Sequence, residues 1–548
     1  MEKQYKAVFF DLGGTLRIAF LEEAYMRHAR RKMAEIAGTD MPYEEFYQMI
    51  EERYEPYRKW ALGEFKESGD EELWCKWLLP DYDPVRIRQV CHELSFQYRQ
   101  CKGRREVVDG GVEVMTADAP YANRIVVRAP KDPAQASGNV VVEIINPTSF
   151  MEIERMWILG NGEFVRSCDI YVGITSKPNT IAKLKEFNPD RYAFMSWANP
   201  TPERPFDYDP AELERGGALP DMDISYETGL FWDMLTDLAW LLRGDSELNP
   251  IRDYPRQAIC LTGWSQSGAY LFRYLNSFAY REEVRRDGRV FDGYLSGGGI
   301  HSMCIPVNQY ECCRGYAHHL LRVEHVEEPF IALQTESENG RFESWRTLMP
   351  DSDDPDFKYR LYEVTGASHD TQWSYVDYYQ DDEDLKRIDH LPVYVGKHAE
   401  ANAYPSQYLF HAAFRNLFRW VRTGVAPATC PRIELDANGE NVKDALGNTK
   451  GGLRTCLLEH PFARYSNTSL VEPGQGTVDK TSDKDGLFGH MESFSASMLK
   501  ELYGSLENYR ALCERDTAIE VSQGFVCAED AQAIVDFAVR SASERGLN

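Results

Sequence analysis

The sequence predicts an α/β protein with a mainly parallel central sheet and helical insertions, preceded by a mostly helical N-terminal segment. Three observations lead to this class. From about residue 122 onward, short apolar runs typical of buried strands alternate with helical stretches. Before residue 115, one apolar run (KAVFF, 6–10) is followed by a long, charged helical pattern over about 21–100. The chain also has 548 residues, too many for one small core. We therefore expect two units, 1–115 and 116–548.

The predicted strands are runs of apolar, mainly β-branched or aromatic residues. They lie at 124–128, 140–145, 170–175, 258–262, 291–295, 330–334 and 360–364. Between them we expect helices at 227–242 and 268–283, an inserted helical lid at 302–328, and helical structure over 381–415. The turn signals Asn438-Gly439 and Gly447-Asn448 predict a surface hairpin. The tail after residue 491 predicts amphipathic helix interrupted near Gly524.

Charge and cysteine content exclude several classes of function. The formal net charge is −26, so we expect neither nucleic acid nor an anionic membrane surface as a partner. No apolar run of about 18 residues predicts a transmembrane helix, and the N-terminus lacks the pattern of a secretory signal. The 12 cysteines are scattered without a CxxC pair, which favours reduced thiols in the cytoplasm. We expect no metal and no cofactor.

The strongest chemical signal is LTGWSQSGAY at 261–270. An apolar strand ends in GWSQSG, and a helical pattern follows. A serine on so tight a turn is held in a strained conformation above the sheet edge, and the helix N-terminus favours developing negative charge. The usual pattern is G-x-S-x-G; here Ser267 takes the place of the second glycine and Gly268 follows it. The pattern predicts Ser265 as a nucleophile.

A serine hydroxyl needs a base, and in this arrangement the chain order is serine, acid, histidine. The strand at 330–334 runs into Thr335-Glu336-Ser337-Glu338, and the strand at 360–364 runs into GASHD, which contains His369. We therefore predict His369 as the general base and Glu338 as the acid, with Glu336 as the alternative acid. His301 follows the glycine run at 297–299 and is the weaker candidate for a site histidine.

The oxyanion hole would use the backbone N–H of Gln266 and a second N–H from the loop at 146–149. Asn146 and Thr148 are the candidates in that loop, and the choice between them stays open because no HGGG run is present. We expect Trp264, Trp197 and His301 to line the substrate pocket.

Beyond the elbow, an ordered set of segments resembles a bacterial α/β-hydrolase-domain family of uncharacterised, esterase-like proteins. The segments are VVVEIINPTS, YVGITSKP, RYAFMSWANP, GWSQSGAYLFRYLN, FDGYLSGGG, QTESE, EVTGASHD and the hairpin leading to GGLR at 451–454. The likeness covers about residues 122–545. It implies an α/β-hydrolase fold and serine-dependent hydrolysis by Ser265, a glutamate after the seventh strand, and His369. It implies no particular natural substrate. We expect the substrate to be a small-molecule carboxylic ester, with a related acyl bond (amide, lactone or thioester) as the alternative.

The front of the chain resembles a different family. VFFDLGGTL at 8–16 is similar to the first motif of haloacid-dehalogenase-like (HAD) phosphatases, and the helices that follow are similar to their cap. Asp11 matches the nucleophile of that family, but Gly13 stands where its general acid would be, and the later motifs are not found in order. We interpret 1–115 as a truncated HAD-like appendage that packs on the body or, in a homo-oligomer, on another chain. The alternative functions are a magnesium-dependent phosphatase that uses Asp11 and a non-enzymatic scaffold.

Overall fold

The structure is a computed structural model, and most of the chain is described in it. The described residues are 5–11, 17–20, 23–64, 68–101, 104–107, 120–148, 151–203, 224–286, 288–299, 305–310, 323, 325–338, 349–475 and 483–548.

The strands are β1 (Tyr5–Asp11), β2 (Arg17–Phe20), β3 (Arg104–Val107), β4 (Arg124–Pro130), β5 (Asn139–Ile144), β6 (Ile170–Ile174), β7 (Ala258–Trp264), β8 (Gly293–Gly297), β9 (Val326–Thr335), β10 (Ser352–Asp354), β11 (Phe357–Val364), β12 (Ala463–Ser466), β13 (Ser469–Leu470), β14 (Lys484–Asp485) and β15 (His490–Ser493). Nine of them form a central sheet in the order β1-β4-β6-β5-β7-β8-β9-β11-β10. The strands from β6 to β11 in that order run parallel, whereas the pairs β1–β4, β4–β6 and β11–β10 are antiparallel. All of the predicted strands are present, and the mainly parallel α/β class is confirmed.

The helices are α1 (Glu23–Ala37), α2 (Tyr43–Glu64), α3 (Asp70–Glu72), α4 (Pro84–Gln100), α5 (Arg155–Ser167), α6 (Pro178–Phe187), α7 (Pro189–Tyr192), α8 (Leu230–Arg243), α9 (Gln266–Ser277), α10 (Glu282–Arg285), α11 (Glu383–Arg387), α12 (Gln407–Thr423), α13 (Cys456–Glu459), α14 (Ala496–Tyr503), α15 (Leu506–Gln523) and α16 (Ala531–Glu544). Single π-helical turns lie at Leu73–Leu78 and Gln372–Val376, and short 3₁₀ turns lie at Pro133–Gln135 and Asp377–Tyr379.

Helices cover both faces of the central sheet. Every residue of β5 and β7 is buried, as expected for parallel strands packed on two sides. Successive side chains alternate between the faces: Val140 and Val142 join an apolar cluster with α8 and α9, whereas Val141 joins a second cluster with α5 and α12. This two-sided packing fixes the carboxyl ends of the parallel strands, from which the candidate site residues follow.

The N-terminal segment is joined to the sheet. Strand β1 pairs antiparallel with β4, from Tyr5 opposite Pro130 to Asp11 opposite Arg124, and forms one edge of the central sheet. The β2–β3 ribbon and helices α1–α4 therefore lie between two strands of that sheet in chain order, with an apolar core of their own around Trp74. The helical character of this segment is confirmed. The strand that contains VFFD pairs within the central sheet, and the boundary at 115 stays a prediction.

The other predicted helices and turns agree with the structure only in part. Residues 305–310, 323 and 325–328 of the predicted lid are described, and none of them is helical; its last residues already belong to β9. The stretch 381–415 is not continuous helix, because an irregular segment separates α11 from α12. The predicted turns at Gly439 and Gly447 are present with positive φ, and Gly524 ends α15. Among the described residues, no helix is long and apolar enough to cross a membrane.

Candidate active site

Ser265 lies on the turn between β7 and α9 in a strained backbone conformation. Its φ of 57° and ψ of −118° fall in a region that non-glycine residues rarely adopt. The turn is tight, since a Cβ on Gly268 would lie 2.8 Å from the Cα of Gly299. The required glycine is therefore at 268, one place later than in the usual pattern, whereas position 267 accepts a serine. The Ser267 side chain is fully buried, and its hydroxyl has no hydrogen-bond partner among the described residues.

His369 follows β11 and is paired with Glu338. The ring Nδ1 lies 2.6 Å from Glu338 Oε1, and both side chains are buried. The second carboxylate oxygen, Oε2, accepts the backbone N–H of Thr335 at 2.6 Å and its hydroxyl at 2.7 Å. With Oε2 engaged by these donors, Oε1 accepts the Nδ1 proton of the imidazole. That tautomer leaves the lone pair of the ring on Nε2.

Glu336, the alternative acid, has other partners. It is buried, and its oxygens accept hydrogen bonds from four donors: the Gly366 N–H at 2.8 Å, the Thr449 hydroxyl at 2.6 Å, and the Asn441 amide and Lys443 ammonium at 3.2 Å each. Most of these donors belong to the hairpin at 433–451. The structure thus brings Glu338, and not Glu336, into contact with His369.

Trp264 connects the turn that carries Ser265 with the His369 ring. Its ring centroid lies 4.8 Å from that of His369, and it directly precedes Ser265. A Cβ on Gly298 would lie 3.0 Å from Cε1 of His369 and 3.1 Å from Cη2 of Trp264, so the two rings meet over the end of β8. The Ser265 N–H donates to the Gly297 carbonyl at 2.9 Å, at the same strand end. Among the hydrogen bonds of the described residues, none joins the Ser265 hydroxyl to the His369 ring.

The candidate oxyanion donors are differently placed. Gln266 is the first residue of α9, where backbone N–H groups lack an intrahelical acceptor. In the loop after β5, the Asn146 N–H donates to the Ile153 carbonyl at 3.1 Å, and the Thr148 N–H donates to Asn146 Oδ1 at 2.9 Å. Both N–H groups are therefore already engaged. The Asn146 side chain instead supports the elbow, since its Nδ2 donates to the Trp264 carbonyl at 2.8 Å.

Trp264 and Trp197, two of the predicted pocket residues, lie in different apolar clusters. Trp264 belongs to the apolar cluster of α5 and α12, where it contacts Phe410 at a centroid distance of 5.5 Å. Trp197 is fully buried in the cluster on the opposite face of the sheet and stacks on Phe231 at 6.1 Å. His301 lies outside the described residues. An aromatic-lined substrate pocket stays a prediction.

Two buried residues near His369 were missed at the sequence level. Asp370, the next residue, forms an ion pair with Arg155 at the start of α5. Burial alone would lower the pKa of this guanidinium, but the Asp370 carboxylate together with Tyr379 and Tyr375 outweighs burial and raises the pKa of Arg155. The two residues are 215 positions apart, so no local pattern could have indicated the pair.

The sheet order and the strained serine between β7 and α9 define an α/β-hydrolase fold. Residues 97–536 match the family described as alpha/beta hydrolase domain, and the chain belongs to that family. None of the curated proteins matches this chain.

Several solved structures align with about half of the chain. The carboxylesterase Cest-2923 from Lactobacillus plantarum WCFS1 is 12% identical with a TM-score of 0.30, and the alignment covers 51% of this chain and 98% of that one. A lipase/esterase from Lactobacillus plantarum is 10% identical with a TM-score of 0.28, covering 45% and 87%. The poly(3-hydroxybutyrate) depolymerase LpqC from Bordetella parapertussis is 13% identical with a TM-score of 0.26, covering 51% and 88%. Scores this low carry no argument about activity or substrate.

Proposed function

We propose that the protein is a serine hydrolase that cleaves a carboxylic ester of a small molecule through an acyl-enzyme on Ser265. One observation carries the proposal. Ser265 lies at φ 57° between β7 and α9, the preceding Trp264 packs on the His369 ring, and the Nδ1 of that ring is 2.6 Å from the buried Glu338 carboxylate. Strained backbone conformations of this kind cluster at functional sites. A nucleophile on a tight turn beside an imidazole–carboxylate pair is the arrangement that acyl transfer needs.

In the proposed reaction, His369 Nε2 takes the hydroxyl proton while Ser265 Oγ attacks the ester carbonyl carbon. The oxyanion that forms accepts the Gln266 N–H and a second donor. When the intermediate collapses, the bond to the alkoxy oxygen breaks, and the imidazolium gives its proton to the leaving alcohol. Water then attacks the acyl-enzyme while His369 takes its proton; the bond between the acyl carbon and Ser265 Oγ breaks, the imidazolium returns the proton to Oγ, and the acid is released. Glu338 keeps the imidazole in the required tautomer and orientation throughout.

The nucleophile is tested with p-nitrophenyl acetate and a fluorophosphonate probe. We expect the wild type to hydrolyse the ester and to be labelled at Ser265, and Ser265→Ala to lower kcat by at least about 10³-fold and abolish labelling. Ser267→Ala is the matched control, because it removes a buried hydroxyl two residues away and should leave both signals within about twofold of wild type. An unlabelled wild type would favour the scaffold instead.

The base and the acid are tested with paired variants. His369→Ala should lower kcat by about 10³-fold or more, whereas His460→Ala, which removes another carboxylate-paired histidine (2.8 Å from Asp516), should keep kcat. Glu338→Gln should lower kcat by about 10²- to 10⁴-fold. Glu336→Gln should lower the melting temperature with kcat retained, because its partners lie in the hairpin. The opposite result for the two glutamates would exchange their roles.

Both the cytoplasmic location and the formation of homo-oligomers through the N-terminal segment remain proposals. The HAD-like phosphatase is not favoured by any feature of the described residues: Asp11 ends the edge strand β1, and its side chain lies outside the description. Magnesium-dependent hydrolysis of p-nitrophenyl phosphate would instead support the phosphatase hypothesis.

A further inference from the structure

Arg155 clamps the segment that follows the candidate base. Its side chain is buried at 3% exposure, Nη1 donates to the Ser374 carbonyl at 2.6 Å, and Nη2 pairs with the Asp370 carboxylate. Asp370 directly follows His369. The guanidinium thus holds the backbone on the C-terminal side of the histidine at two points, and its planar fork fixes direction as well as distance.

The clamped segment is itself closed into one turn. The Thr371 hydroxyl accepts the Ser374 N–H at 3.3 Å, and the Ser374 hydroxyl accepts the Thr371 N–H at 3.1 Å, so each residue caps the other. Because Arg155 bonds to Asp370, just before this turn, and to Ser374 within it, a shift of the guanidinium would move residues 370–374 together. His369 is joined to that turn through a single peptide.

Arg155 also contacts Trp264, the residue before the proposed nucleophile Ser265. The centre of its guanidinium lies 5.6 Å from the ring centroid of Trp264, which precedes Ser265 and packs on His369. One side chain therefore contacts both arms of the candidate site. Stability alone does not account for it, since a buried ion pair contributes little more than apolar side chains of the same volume.

We propose that Arg155 is a positioning residue that sets the distance between the Ser265 hydroxyl and the His369 imidazole, acting through Asp370 and Trp264. The inference rests on the proposed function of the site. Arg155 is not placed against substrate. Its loss displaces the base relative to the nucleophile, so it lowers the rate of acylation while substrate binding is retained. A displacement of about 1 Å at such a pair is enough for a loss of about 10²-fold in rate.

The experiment measures kcat and KM for p-nitrophenyl acetate and the rate of fluorophosphonate labelling in full-length Arg155→Met. We expect kcat and the labelling rate to fall by about 10²-fold, with KM within about twofold of wild type. Arg360→Met is the matched control: Arg360 is equally buried, pairs with Asp353 at 2.6 Å and lies 5.1 Å from the Trp420 ring, away from His369. It should lose melting temperature while kcat stays within about twofold.

Two further variants decide the matter if Arg155→Met does not fold. Arg155→Lys keeps the cation but loses the fork, and Asp370→Asn keeps the shape but loses the charge; each should lower kcat by about tenfold with KM unchanged. If the wild type is labelled at Ser265 and every folded variant at 155 and 370 keeps wild-type kcat, the positioning role is wrong and the proposed function stands. If the wild type is not labelled at Ser265, the proposed function fails and this role fails with it.

Discussion

Replacing Glu143 by glutamine should remove a specific pH dependence from the stability of the sheet. This carboxylate is at the penultimate position of β5 and is fully buried. It accepts the backbone N–H groups of Met156 and Trp157 at 2.9 Å each and the Tyr171 hydroxyl at 2.8 Å. It therefore holds the first turn of α5, the helix that begins with Arg155. Burial raises the pKa of Glu143 to about 8, although these hydrogen bonds oppose the rise.

The magnitude follows from the two states of the chain. The ordinary pKa of this carboxyl is 4.5, and a folded-state pKa of about 8 means that the folded protein binds the proton more tightly. The stabilisation is complete below pH 4.5 and is lost as the pH rises through 8. A difference of about 3.5 in pKa corresponds to about 5 kcal/mol at about 1.36 kcal/mol per unit. The amide side chain of Glu143→Gln does not titrate, so the free energy of unfolding of the variant lacks this dependence on pH. It carries instead a constant loss of about 1–3 kcal/mol, because an amide nitrogen cannot accept the hydrogen bonds.

The assay is urea unfolding followed by tryptophan fluorescence, on wild type and Glu143→Gln, at intervals from pH 4.5 to pH 8.5. The free energy of unfolding of the variant relative to wild type should rise by several kcal/mol, up to about 5, across this range. Two parallel curves would refute the reasoning, since they would mean that the carboxyl has the same pKa in both states.

Three further predictions concern the elbow, the C-terminal helices and the N-terminal strand. Gly268→Ala should lower kcat by about tenfold or more, because its Cβ would lie 2.8 Å from the backbone of Gly299; wild-type kcat in a folded variant would contradict the close approach. Burial alone would raise the pKa of Asp530, but the Arg166 guanidinium and the His411 imidazole together outweigh burial and lower that pKa to about 2. The resulting stabilisation, about 1–2 kcal/mol once solvent screening is allowed for, is present above the ordinary value of 3.8 and lost as the pH falls through 2. Urea unfolding of Asp530→Asn at pH 7 should show a loss of about that size. Asp11→Asn should leave ester hydrolysis unchanged, and a collapse of activity in a protein that still melts cooperatively would give the N-terminal strand a role in the site.

The strands and the tight turn at Ser265 could be predicted from sequence because both depend on local signals. An apolar run followed by a small-residue turn and a helix specifies the elbow within ten residues, and Ser265 has the strained φ that this reading requires. The position of β1 could not be predicted in this way. A short apolar run does not say which strand it pairs with, and the pairing with β4 joins residues more than a hundred positions apart.

The choice between Glu336 and Glu338 shows a second limit. The two residues are both glutamates, both follow β9, and both are buried. What separates them is the partner supplied by distant segments: the hairpin gives Glu336 three side-chain donors, whereas His369 lies against Glu338. Spacing from the strand end favoured Glu338, the residue that the structure pairs with His369. Only the fold shows that side chains from a distant hairpin donate to Glu336.

The strain at Ser265 is fixed before any substrate arrives. A conformation of this kind costs about 1–3 kcal/mol and persists only where its surroundings determine it. Here the Ser265 N–H is bonded to the Gly297 carbonyl, the carbonyl of the preceding residue accepts from Asn146, and the carbonyl of Ser265 accepts from Ala269 in α9. Each peptide around the serine is thus held by a different element: β8, the loop after β5, and the helix itself. Because the same Asn146 also binds the Thr148 N–H, that loop and the elbow move as one body. In the proposed reaction, an oxyanion could therefore recruit the Thr148 N–H only by breaking its bond to Asn146.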